Sequence, residues 1–217
     1  MRVSLLQPKI IRGNIEHNLN RIQRLIEKSI GDLLVLPEYV LTGSLILDKE
    51  ADLSKWIKKN NESKENIKVP QGKTLILNSL IYNDEKIYNC CELLPSGKKQ
   101  MKLYPDETEI RKGITPGTKH QIIRLYNKKI KIIICSDLKY WNLLNIEDVD
   151  FLVWIYHFTK ENYNKRMTEL KKIIKVKKKP ILVSSITSDK NIGFSTYIDQ
   201  NRTISLSEDE GILELEI

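Results

Sequence analysis

Two runs in this chain, DLLVL at 32–36 and FLVWI at 151–155, hold hardly a polar side chain, and a third, KIKIII at 129–134, closes on three isoleucines. A strand with one wet face alternates apolar and polar residues. Runs without that alternation need cover on both faces, and these are too short to be helices of ordinary length. Such strands belong inside a layered α/β fold. Each run also stops at a polar or reactive group: Pro37 and Glu38 follow the first, Cys135 follows KIKIII, and His157 lies just beyond FLVWI. The carboxyl ends of strands are where layered α/β folds carry their chemistry.

The remaining pattern supplies the covering layers. Val3 to Leu6 reads as a strand, and Asn14 caps a helix whose apolar face is Ile15, Leu19, Ile22, Leu25, Ile26 and Ile30, with Gly31 ending it. A second helix is expected from Ala51 to Asn60, and Thr74–Tyr82 with Ile87–Leu94 forms a hairpin. A polar loop follows from Lys98 to Thr118, long enough to carry function. Gln121–Tyr126 and Lys129–Ile134 make a second hairpin, then come a short helix over Leu138–Asn145 and a basic helix over Glu161–Val176. Strands at Pro180–Ile186, Gly193–Ile198, Thr203–Leu206 and Ile212–Glu216 close the chain. With no internal repeat and no low-complexity linker, one domain over residues 1–217 is expected, built as mixed sheets covered by helices.

Composition narrows the class further. With 41% hydrophobic and 29% charged residues and no apolar segment of membrane-spanning length, no membrane partner is expected. The N-terminus lacks the pattern of a secretory signal, and three cysteines without zinc-like spacing point to a reducing, cytoplasmic setting. Cys90 and Cys91 are neighbours on a strand, face opposite ways and are read as structural. The net charge is +8, and Lys171, Lys172, Lys175, Lys177, Lys178 and Lys179 form its densest part. No nucleic-acid motif accompanies that run, so it reads as a solvated helix face with no nucleic-acid partner.

Three stretches place a reactive side chain where an apolar strand runs into a polar segment: LLVLPEYVLTG, KLYPDETEIRKGITPG and IIICSDLKYWN. A thiol of ordinary pKa, about 8.5, is mostly protonated at neutral pH and needs a base, which a carboxylate at Glu38 supplies. Attack of a thiolate on a carbonyl or nitrile carbon builds negative charge on the substrate. A fixed ammonium at Lys102 and the backbone N–H of Ser136 suit that charge. The alternative pairing of Cys135 with His157, as in a cysteine protease, would make His157 the base and Lys102 dispensable.

Together the three stretches resemble the signature regions of the nitrilase superfamily, the carbon-nitrogen hydrolases. Pro37, Glu38, Leu41, Thr42 and Gly43 fall on the pattern P-E-x-x-x-T-G; Lys102-Leu103-Tyr104, Glu109 and Pro116-Gly117 are similar to the lysine segment; Cys135 and Asp137 match C-x-D. Gln7, Asn18 or Asn20 and the closing GFSTYID are similar to further features, so the resemblance covers the whole chain. It implies an α-β-β-α four-layer sandwich that often forms a homodimer or a higher homo-oligomer, needs no cofactor or metal, and hydrolyses a small carbon-nitrogen bond, an amide ahead of a nitrile, through a thioester. Cys135, Glu38, Lys102 and Glu109 would be catalytic, with Glu109 positioning Lys102 or the substrate, and Ser136, Tyr39 and His157 would contact substrate. Met101, Ser136, Tyr140-Trp141-Asn142 and KKIIKVKKK depart from the pattern. They leave the substrate open, and leave as the alternative a weak or inactive relative that serves as a binding or assembly protein.

Overall fold

The computed structural model describes residues 1–44, 48 and 52–217. The chain runs β1 (Arg2–Gln7), α1 (Ile15–Lys28), β2 (Leu33–Val35), α2 (Leu53–Lys64), β3 (Thr74–Asn83), β4 (Lys86–Leu94), β5 (Lys98–Met101) and α3 (Glu107–Arg111). It continues with β6 (Ile123–Leu125), β7 (Lys128–Ile134), a 3-10 turn over Cys135–Tyr140, β8 (Phe151–Ile155), α4 (Tyr163–Lys177), β9 (Ile181–Ser184), β10 (Thr196–Ile198), β11 (Thr203–Ser205) and β12 (Gly211–Glu216). Two six-stranded mixed sheets result, ordered β12-β1-β2-β3-β4-β5 and β11-β10-β9-β8-β7-β6.

The apolar runs lie at the centres of these sheets. β2 is parallel to both β1 and β3, and β8 is parallel to both β7 and β9. Alternate residues of each strand face opposite layers. Val3, Leu5, Leu33 and Val35 of one sheet meet Ile132, Ile134, Val153 and Ile155 of the other in a core between the sheets. Leu6, Leu34 and Leu75 face outward onto Ile22, Leu25 and Ile26 of α1, while Ile133, Leu152 and Trp154 face Leu170, Ile173 and Ile174 of α4. The order of layers is therefore α-β-β-α, as the resemblance implied. Among the described residues no helix is long and apolar enough to cross a membrane.

Buried polar ties join the sheets at the end where the strands stop. Gln7 Oε1 accepts from the Ser195 N–H at 2.6 Å, and the Ser184 hydroxyl donates to the carbonyl of Val35 at 3.2 Å. Asn18, buried on α1, donates to the carbonyls of Ile11 and Leu41 at 2.9 Å each and fixes the segment after β2. These bonds hold the strand ends from which the site is built.

Several expected elements differ. The segment read as a helix over Leu138–Asn145 is instead the 3-10 turn and irregular turns closed by i→i+3 bonds, because Ser136 and Asp137 are bonded to Tyr104 and cannot enter an α-helix freely. The polar loop contains β5, an edge strand whose one buried residue is Gln100, and α3; neither carries the apolar periodicity by which strands and helices are recognised. α1 stops at Lys28, where the Ser29 hydroxyl bonds the carbonyl of Ile26 at 2.7 Å, so Ile30 is 56% exposed. The second helix is Leu53–Lys64, capped by Asp52, and Ala51 lies outside the described residues.

Gly31 does not cap the helix; it lets β1 pass. Its N–H donates to Ser4 Oγ at 2.9 Å, and a Cβ there would stand 2.4 Å from that oxygen and 2.6 Å from the Ser4 backbone nitrogen. Gly31→Ala should therefore cost about 1–3 kcal/mol, as overpacking against a fixed backbone does. A urea titration would show it as a lowered midpoint at unchanged slope, and an unchanged midpoint would contradict the close approach.

Candidate active site

Distant parts of the chain deliver the site, each from a strand end. Pro37 cannot extend the ladder of β2, so Glu38 leaves the sheet at its rim, where it is buried. β7 gives way to the 3-10 turn at Cys135, whose φ of 46° lies in the left-handed region that residues with side chains seldom adopt. Trp154 Nε1 donates to the Cys135 carbonyl at 3.0 Å and holds that turn. Lys102 follows β5, its N–H bonded to the carbonyl of Asn89 at 2.8 Å.

Lys102 Nζ lies 3.2 Å from Glu38 Oε1 and 2.7 Å from Glu109 Oε2, with all three side chains at most 4% exposed. Asn89 Nδ2 sits 2.8 Å from Glu38 Oε1, 2.9 Å from Glu109 Oε1 and 2.7 Å from the Tyr39 hydroxyl, which itself donates to Glu109 Oε1 at 2.9 Å. Asn78 Nδ2 donates to Asn89 Oδ1 at 2.7 Å, which turns the amide hydrogens of Asn89 towards the carboxylates. Glu109 is placed by a capping box: Asp106 Oδ1 accepts from the N–H groups of Thr108 and Glu109, and Glu109 Oε2 accepts from the Asp106 N–H at 2.9 Å.

Lys102 and Cys135 are tied through their neighbours. Asp137 accepts from the N–H groups of Leu103 at 3.1 Å and Tyr104 at 2.7 Å, while the Ser136 hydroxyl donates to the Tyr104 carbonyl at 2.6 Å. Burial lifts the Asp137 carboxyl to about 6, against the pull of those two backbone donors.

Burial alone would drive Lys102 towards its neutral form, but Glu38, the Cys135 sulfur and Glu109 outweigh it and hold the ammonium charged, well above its ordinary pKa. The Cys135 thiol is pushed up by burial and then by the Glu38 carboxylate, while Lys102 pulls it down. His157 is lowered by burial. Its Nε2 lies 2.5 Å from the Glu38 carbonyl oxygen, which can only accept, so Nε2 carries the hydrogen and Nδ1 accepts from the Ser44 hydroxyl at 3.0 Å. Both nitrogens are thus occupied. That is the arrangement of a clamp on Glu38 rather than of a base for Cys135.

Glu38, Tyr39, Lys102, Glu109, Cys135 and His157 line one cavity of about 200 Å³. Ser136 does not line it; what Ser136 can offer a substrate is its backbone N–H at the start of the 3-10 turn. Among the described residues, Ser44, Asp106, Tyr156, Thr159 and Asn191 complete the wall and carry no motif of their own in the sequence. Asn78 and Asn89 left a signal that could have been used: single amides inside strands whose neighbours are otherwise buried and mostly apolar. Among the described residues, no group of three or more His, Cys, Asp or Glu side chains is arranged to hold a metal ion.

Two mixed six-stranded sheets between helix layers make the fold of the nitrilase superfamily, the carbon-nitrogen hydrolases. Among solved structures the chain is similar to an amidase from a Nesterenkonia species, with a TM-score of 0.82 at 13% identity over 100% of this chain and 90% of that one. It is similar also to a carbon-nitrogen hydrolase superfamily protein from Xanthomonas campestris bearing an arsenic adduct in its active site, with a TM-score of 0.77 at 16% identity over 99% and 89% of the two chains. The glutamine-dependent NAD+ synthetase of Acinetobacter baumannii matches with a TM-score of 0.75 at 20% identity, over 98% of this chain and 44% of that one. These likenesses are of fold. The sequence matches no protein-family profile and no curated protein.

Because the Glu38 carboxylate raises the thiol, Glu38→Gln should move the midpoint of Cys135 alkylation by iodoacetamide to lower pH. Mass-resolved labelling rates across pH would show this, and a midpoint that stays put would remove the carboxylate from beside the sulfur.

Proposed function

We propose that the chain is an amidase-type carbon-nitrogen hydrolase that cleaves a small non-peptide amide through a thioester on Cys135. The observation that carries this reading is the buried ion cluster facing a thiol. The Lys102 ammonium is held within 3.2 Å of both Glu38 and Glu109 with almost no solvent. Taking charged groups out of water costs several kcal/mol each, and apolar residues would serve packing better, so such a cluster in a cleft is the mark of a working site.

The chemistry follows from the positions. The Cys135 sulfur attacks the amide carbon as its proton passes to Glu38, which lines the same cavity. The carbonyl π pair moves onto oxygen, where the Lys102 ammonium and the Ser136 N–H stabilise it; one such donor is worth roughly 3 kcal/mol in comparable sites. Glu38 then returns its proton to the departing nitrogen, the C–N bond breaks, and ammonia or an amine leaves behind the thioester. Water, giving a proton to Glu38, attacks the thioester by the same route. Collapse of that second intermediate expels the sulfur, which takes the proton back and frees the acid. Glu109, bonded to Tyr39, Asn89 and Lys102, keeps the ammonium aimed.

A fold neighbour supports the role of the cysteine. A Glu-to-Gln variant of the Nesterenkonia amidase carries the acetamide moiety of fluoroacetamide on its active-site cysteine, and the chain superposes on it with a TM-score of 0.83 at 13% identity. A binding or assembly protein that merely kept the scaffold has no need of a buried, paired ammonium and a thiol in one cavity, so the enzymatic reading is preferred.

Acid-quenched mixtures with a small aliphatic amide should show an acyl adduct mapped to Cys135. The Cys135→Ala variant should lose the adduct and at least about 10⁴-fold in ammonia release, as loss of a nucleophile does. Ammonia release at the wild-type rate from the folded variant would sink the proposal.

A further inference from the structure

We infer that the cavity at Cys135 accepts amides whose acyl chain is neutral or ends in a positive charge, and turns away those that carry a second, anionic end. The inference takes its site from the thioester reading above and adds the class of substrate.

The described residues lining the cavity include three carboxylates, Glu38, Asp106 and Glu109, and one basic side chain of fixed charge, Lys102. That ammonium is bonded to both Glu38 and Glu109, so its charge is already matched. Burial disfavours a charged His157, and with its Nε2 hydrogen on the Glu38 carbonyl the neutral ring accepts from Ser44 at Nδ1. Arg166 does not line the cavity: Nη1 pairs with Glu169 at 2.6 Å, and Nε donates to the Tyr156 hydroxyl at 3.1 Å. The Tyr156 hydroxyl, accepting from Arg166, keeps its own hydrogen to donate but brings no charge to the wall.

A substrate carboxylate entering this space would lose its water to a wall of formal charge −2 that offers no unmatched cation among the described residues. Dehydrating an anion without a partner is strongly unfavourable, and like charges side by side add to the penalty. An ammonium at the same place would find Asp106, the lining carboxylate that Lys102 does not engage. The chain as a whole carries +8 and attracts anions from afar. That field is screened over about 8 Å at physiological salt, so contacts inside the cavity decide which molecule stays. The cavity, about 200 Å³, leaves room for an acyl chain of only a few carbons.

The test compares butyramide, 4-aminobutyramide and succinamate, three amides of similar reach that end in a methyl, an ammonium and a carboxylate. Two readouts are taken on the full chain: kcat/KM from ammonia release, and protection of Cys135 against iodoacetamide. Succinamate should fall at least about 100-fold below butyramide in kcat/KM and protect least. Asp106→Asn keeps a good cap for α3 and should shrink the ratio of 4-aminobutyramide to butyramide by about tenfold while raising succinamate relative to butyramide. Using ratios within one variant cancels any general loss from a displaced Glu109. Succinamate matching butyramide in turnover or protection, or ratios unmoved by Asp106→Asn, would overturn the charge selection and leave the thioester reading standing. Selective protection by the neutral and cationic amides, with no hydrolysis of any, would do the reverse.

Discussion

The site depends on one arrangement: a lysine ammonium taken almost wholly out of water and held between two carboxylates. Burial by itself would push the Lys102 side chain towards its neutral form. Glu38 and Glu109, at 3.2 and 2.7 Å, keep it charged, and each acid in turn needs further donors to remain tolerable. Asn89, Asn78, Tyr39 and the N-terminal turn of α3 supply them. A buried cluster of this kind is stable only when every member is satisfied, which is why the amides behind it matter as much as the charges in front.

The layered fold makes that arrangement possible by separating two tasks. Strand interiors are buried on both faces and hold the sheets in register, while their ends, freed from pairing, carry polar groups into a shared rim. Glu38 and Cys135 follow interior strands of different sheets, and Lys102 lies beyond the polar edge strand β5. The cross-sheet bonds from Gln7 and Ser184 fix the spacing between these ends.

Much of this was legible in the chain, for a physical reason. Two-sided burial forces unbroken apolar runs, so β2, β7 and β8 announced themselves, and Pro37 and the polar residue after each run marked the rim. The cluster of Glu38, Lys102, Glu109 and Cys135 was readable because the residue types come in a particular order. β5 and α3 were not readable in the same way. An edge strand needs little apolar surface, and a five-residue helix shows no periodicity, although the Asp106-to-Glu109 capping box is a local signal visible in hindsight. The 3-10 turn after Cys135 eluded a helix reading because its geometry is imposed by bonds to Tyr104, some thirty residues away. Asn89, Tyr156 and Asn191 gather at the site through tertiary packing alone, which no spacing in the sequence encodes.

The left-handed backbone at Cys135 sets the protein against itself. A residue with a Cβ loses about 1–2 kcal/mol in that conformation, whereas glycine adopts it freely. Only a change to glycine would lift that cost, and it would take the sulfur with it; every other replacement keeps the strain and loses the thiol as well.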